Sequence, residues 1–207
     1  PDDAELFTKQ IKIMGPDGNY RPRLVKLRMR SSSVTGDERR NRDSSGKPTE
    51  EQAEQRAATR EFFHEGLGQS DMVLYVGHAR DGGGPDFGPP HVNPETRRTD
   101  YAWHRSHPEG KNGMVEALRS SPTPAKIVGV FACYARNHFG QALREAAPGT
   151  GFLLSGRSEF EATVGQAAAS IDNVMSLKCE NELKQSLGVV RAIGDYQVDP
   201  VAVNGVF

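Results

Sequence analysis

The segment Lys126–His138 (KIVGVFACYARNH) constrains the fold of this chain more than any other. Ile127-Val128-Gly129-Val130-Phe131 is an uncharged, β-branched run that ends at Ala132-Cys133, and Asn137 marks a helix start four residues later. A short apolar run between a Pro-rich loop and a helix reads as a buried strand of a parallel sheet. Upstream, Met72-Val73-Leu74-Tyr75-Val76-Gly77-His78 repeats the form: an apolar strand, a glycine, then a histidine at the exit. Open α/β sheets carry their reactive groups at the carboxyl ends of strands. Neighbouring strands ending in His78 and Cys133 would bring a base and a nucleophile to one edge. Both strands are uncharged along their length and are expected in the interior of one parallel sheet.

The bulk properties narrow the class. A chain of 207 residues suits a single domain, 1–207, able to bury a core. Its 22 Gly and 13 Pro point to long loops. The formal net charge of −1 argues against a nucleic-acid or membrane binder defined by overall charge, so neither partner is expected. No apolar run approaches the ~20 residues of a membrane helix, and no signal-peptide core is present. A soluble protein is expected, with the cytoplasm slightly favoured. Two cysteines, Cys133 and Cys179, do not make a disulfide framework, although one bridge stays open.

In chain order, 7–14 reads as a short strand with a turn at Gly15-Pro16-Asp17-Gly18. Residues 24–30 alternate, Val25, Leu27 and Met29 against Lys26, Arg28 and Arg30, which predicts a strand with one wet face. Arg39, Arg40, Arg42 and Lys47 follow in a polar loop, read as a solvated basic face or as a patch for phosphate or acid. Thr49-Glu50-Glu51-Gln52 is a capping box for a helix over 50–65, closed by Gly66 or Gly68. Residues 79–110 form a long Gly/Pro-rich stretch, and a loop of that length in a compact domain reads as functional, with 81–90 bordering the site. A helix over 113–120, the Cys133 strand, a helix from Asn137, a strand over 151–155 and a helix opened by the capping box Ser158–Glu161 come next. Helical pattern resumes to Leu187, and 189–193 is a possible last strand. Strand and helix in alternation predict a mostly parallel sheet with helices on both faces.

The chemistry of the pair is specific. A nearby imidazolium and a helix N-terminus both lower a thiol pKa from ~8.5 towards 7 or below. Backbone N–H groups around Cys133 and in the Gly82-Gly83-Gly84 run are candidate oxyanion donors. The alternative for Cys133 is a small buried residue at the end of an apolar strand.

The order of a strand ending in His, a strand ending in Ala-Cys, then helix, strand and helix resembles the caspase-like (clan CD) cysteine peptidases, with bacterial CHAT and metacaspase-type domains nearest in character. His78 lies 55 residues before Cys133, against roughly 50 in caspases. The segment GFLLSGRSEFEATVGQAAASIDNVM at 151–175 is similar to the strand and helix that follow the cysteine in CHAT members. The resemblance implies a three-layer caspase-like fold with its core at about 24–193 and a first strand, 24–30, beside the His strand. It makes Cys133 the nucleophile and His78 the general acid/base of a peptide-bond hydrolase, with Ala79 supplying an oxyanion N–H. Gly82 and Gly83 fall in the same loop. Arg157 and Arg30 are candidate selectors for an acidic substrate side chain, and Asp86, Glu159 and Glu161 for a basic one. The partner is a peptide or protein substrate, with no cofactor and no metal. The chain departs from the family in Ala79, where glycine follows the histidine, and in Phe131-Ala132-Cys133, where caspases carry Gln-Ala-Cys.

Two rival readings remain. His78, His91, His104 and His107, with Asp81, Asp86 or Asp100, carry donors for a zinc hydrolase centre. A caspase-like scaffold that binds a partner without turnover is the other. Cys179, within helical pattern, is read as structural.

Overall fold

A computed structural model of the chain describes residues 4–14, 17–37, 39–157, 160–176, 178–188 and 201–204. Two ten-residue strands, β1 (Glu5–Met14) and β2 (Tyr20–Met29), pair antiparallel from Glu5↔Met29 to Met14↔Tyr20. Helix α1 (Glu50–Gln69) leads to β3 (Met72–Val76), and α2 (Tyr101–Ser106) and α3 (Glu109–Ser120) precede β4 (Ile127–Phe131). Then follow α4 (Ala135–Ala146), β5 (Gly151–Leu154), α5 (Phe160–Met175), α6 (Glu180–Gly188) and β6 (Ala202–Asn204).

The central sheet runs β3-β4-β5-β6, parallel except for the β5–β6 pair. Alternate side chains enter two separate cores. Val73, Tyr75, Val128, Val130, Phe152 and Leu154 pack with Phe63 and Leu67 of α1, Met114 and Leu118 of α3, and Phe139 and Leu143 of α4. Ile127, Phe131, Leu153 and Val203 face Ala167 of α5 and Leu183 and Leu187 of α6. The domain is therefore three layers, α/β/α, and β4 is buried along its whole length.

Several expectations are corrected. The strand over 24–30 does not lie beside the His strand; it belongs to the separate hairpin. An inner strand of an α/β sheet is covered on both faces, and Lys26 and Arg28 could not be buried there without partners. Local antiparallel pairing across a short turn also closes a much smaller loop than insertion beside β3. Among the described residues β3 is consequently an edge strand rather than an interior one, with Val73 and Tyr75 buried and Val76 38% exposed.

Helix α1 is capped by Thr49, whose hydroxyl accepts from the Gln52 N–H at 3.2 Å, but it runs through Gly66 and Gly68 and stops only at Ser70. A 101–106 helix, with Asp100 accepting from the Trp103 N–H at 2.9 Å, interrupts the stretch expected to be irregular. Helix α4 starts at Ala135, two residues before Asn137. The tail adds β6, and the possible strand at 189–193 lies outside the described residues. Among the described residues no helix is long and apolar enough to cross a membrane.

Candidate active site

The site is built by register. Val76 pairs with Phe131 across the parallel ladder, and the Gly77 N–H donates to the Phe131 carbonyl at 3.1 Å. His78 and Cys133 each stand two residues beyond that pair, on strands spaced ~4.8 Å apart. Both are exposed, and both line one pocket of about 370 Å3 at the carboxyl ends of the strands. No disulfide joins Cys133 and Cys179, so the single bridge left open by the sequence is not made.

The backbone on either side is held tightly. Before Cys133, the Ala132 N–H donates to the buried Ser155 hydroxyl at 2.9 Å, and that hydroxyl donates back to the Ala132 carbonyl. After it, Tyr134 takes a left-handed conformation (φ 55°) and donates its N–H to the Gly156 carbonyl at 2.8 Å, turning the chain directly into α4. Cys133 thus sits two residues ahead of the first residue of α4, where the partial positive charge of the helix favours an anion.

The His78 side rests on Tyr75. Its buried hydroxyl lies 3.1 Å from the His78 carbonyl and 3.0 Å from that of Asp86, and it accepts from the Asp86 N–H at 3.1 Å. Burial pushes the phenol pKa far up, so the hydroxyl keeps its proton and remains a donor. Gly77 makes this possible, because a Cβ there would stand 2.5 Å from the Tyr75 oxygen. Ala79, expected as a departure, has φ −74° and ψ −19°, which alanine adopts without strain.

Arg80 and Asp81 then follow in the left-handed region (φ 47° and 54°), an arrangement that costs about 1 kcal/mol or more per residue and is concentrated at functional sites. Arg80 turns its guanidinium inward, where Nε donates to Asp86 Oδ2 at 3.0 Å. Asp86, with Arg56 3.6 Å away on its other oxygen, is therefore a buried ion-pair partner and does not line the pocket. Asp81 does line it. Its carboxylate accepts from Arg105 of α2 and faces His138 Nε2 of α4 at 3.8 Å.

The structure brings together His78, Cys133 and Ala79 of the expected site residues, and adds Arg80, Asp81, Tyr101, Arg105, Tyr134 and His138. It does not bring Arg30, which lines a separate groove against α1. Arg157 follows Gly156, the acceptor for Tyr134, but is not among the lining residues. Glu159 lies outside the described residues, as does the side chain of Glu161. Gly82 and Gly83 are corrected as oxyanion donors: their N–H groups already donate to the Ala79 and Arg80 carbonyls.

Gly83 is instead a packing residue, since a Cβ there would come within 2.4 Å of the His104 carbonyl oxygen. Gly83→Val is expected to lower stability by roughly 1–3 kcal/mol through overpacking, read as a shifted urea midpoint. An unchanged midpoint with altered Cys133 reactivity would return Gly83 to the site.

The loop histidines gather elsewhere. His91 and His107 stack on Trp103 with ring centroids 4.4 and 4.2 Å away, and buried His104 accepts the His91 N–H at Nε2 (3.2 Å). Among the described residues no group of three or more His, Cys, Asp or Glu side chains is placed to hold a metal ion. The zinc reading thus finds no donor set in this geometry.

Burial holds His64, His104 and His138 below the ordinary imidazole value of 6.5; at His138 the Asp81 carboxylate opposes that shift. A lowered folded pKa means that the unfolded chain binds protons first. Their contribution to stability is complete above about pH 6.5 and is lost as pH falls towards the folded values. The melting temperature should therefore drop on acidification below about pH 6.5, and His104→Gln should flatten part of the fall. A melting temperature constant through that window would contradict the assignment.

Comparison with protein-family models, with curated proteins and with solved structures gives no significant match to this chain.

Proposed function

We propose that this chain is a caspase-like cysteine endopeptidase with Cys133 as nucleophile and His78 as general acid/base. One observation carries the reading: the parallel register delivers both residues to the same pocket at the carboxyl ends of β3 and β4. The Cys133 thiolate attacks the scissile carbonyl carbon, and the carbonyl electron pair moves onto oxygen. The backbone N–H groups of Cys133 and Ala79 are assigned to that oxyanion. On collapse the C–N bond breaks, the His78 imidazolium protonates the departing amine, and a thioester remains on Cys133. His78 then takes a proton from water, whose oxygen attacks the thioester, releasing the acid and the thiolate. Asp81 and Arg105 line the pocket with the reacting pair, whereas Arg30 and Arg157 do not.

A peptidyl acyloxymethyl ketone tests this directly. Mass mapping should find the thioether on Cys133 alone, with no effect of EDTA. A chain left unlabelled at Cys133 would favour the partner-binding scaffold instead.

A further inference from the structure

The overall charge of −1 conceals a strong asymmetry. Residues 4–47 contain eleven Lys and Arg against five Asp and Glu, whereas 48–207 contain fifteen against twenty. Much of the excess stands on the β1–β2 hairpin. Its paired strands would extend about 33 Å at ~3.3 Å per residue, and Leu6, Phe7, Tyr20 and Leu24 are each more than half exposed. An isolated two-stranded ribbon is marginal by itself, so these faces need a partner.

The register sorts the cations. Lys9, Arg21 and Arg23 share one face, and Lys12, Lys26 and Arg28 the other, with Glu5 the lone acid within the two strands. Arg21 is paired with Asp17 at 2.6 Å, and Arg28 lies over the Phe62 ring at 5.0 Å. Lys9, Lys12, Arg23 and Lys26 remain, two on each face, and no described acidic side chain forms an ion pair with them.

We infer that the β1–β2 ribbon is a binding arm for duplex DNA that enters the major groove. Charge on both faces discriminates among polyanions. A membrane presents one plane of phosphate and would need cations on one side only. A groove has a phosphate wall on each side. The B-form major groove, about 12 Å wide, admits a two-stranded ribbon, whereas that of A-form RNA is too narrow and deep.

The test is fluorescence polarisation of a labelled DNA duplex of about two helical turns with the full chain. Four phosphate contacts give a log–log salt slope near −3.6, so affinity should fall by roughly two orders of magnitude between about 50 and 200 mM salt. Lys9→Gln/Arg23→Gln and Lys12→Gln/Lys26→Gln should each remove about half of that slope, and the quadruple variant nearly all of it. The Cys133 alkylation rate and the melting curve of each variant should match the parent, which separates lost binding from lost folding. Absence of duplex binding at about 50 mM salt would overturn the inference, as would binding unchanged in the quadruple variant. Equal affinity for an RNA duplex or a single strand, or preference for phosphatidylserine vesicles, would do the same.

Discussion

Cys133→Ala should abolish peptide-bond hydrolysis while shifting the melting temperature hardly at all. The side chain is exposed beyond the last residue of β4, so truncation removes little packing, and surface substitutions of this kind stay within about 0.5 kcal/mol. The chemistry has no substitute. His78 can move a proton, but without sulfur no acyl group can be held, and a directly attacking water would need a different geometry. Turnover and a thermal melt on the same preparation check both halves. Turnover persisting in this variant would remove the nucleophile from the account.

Gly77→Ala should damage both stability and reactivity. Its Cβ would stand 2.5 Å from the Tyr75 oxygen and 2.7 Å from Cζ, inside any tolerable contact. Tyr75 is buried in the core and cannot swing into solvent, so the strand exit must move. That movement breaks the Tyr75 hydroxyl's contacts to His78 and Asp86, and each buried polar group left without a partner costs about 1–3 kcal/mol. The predicted loss is roughly 2–4 kcal/mol in urea unfolding, together with slower Cys133 alkylation because His78 is displaced. A native midpoint and a native rate in Gly77→Ala would show that the Tyr75 contact does not position His78.

The strand-end logic was readable because it is local and periodic. The uncharged runs at 72–76 and 127–131, the Thr49 cap and the helix after Cys133 follow from pattern and capping chemistry. Parallel pairing then aligns His78 with Cys133 almost automatically. Other features depend on groups that meet only in three dimensions. Ser155 reaches Ala132 across the β4–β5 pair, and nothing in the residues around Gly151–Leu154 marks it as the clamp behind Cys133.

The Asp81–Arg105–His138 group joins a turn and two helices. A fuller reading of Asp100 as a helix cap would have found α2 and with it Arg105; His138, five residues after Cys133, was visible only as a helix residue. The triglycine run misled because close packing and oxyanion binding both select glycine. The Ala79 and Arg80 carbonyls that take the Gly82 and Gly83 N–H groups, and the His104 carbonyl opposite Gly83, decide between them. The hairpin misled for a related reason: alternation specifies a strand but not its neighbour.

The Cys133–His78 pair is tested most directly by the rate of iodoacetamide alkylation at each cysteine of the native chain near pH 6.5, resolved by mass mapping. An ordinary thiol of pKa ~8.5 is only about one per cent ionised there. Cys133 and Cys179 are both exposed, so access does not separate them. Cys133 should react many times faster than Cys179, and His78→Ala should remove most of the difference by taking away the positive partner of the thiolate. Equal rates at the two cysteines, or a Cys133 rate indifferent to His78→Ala, would contradict the pairing.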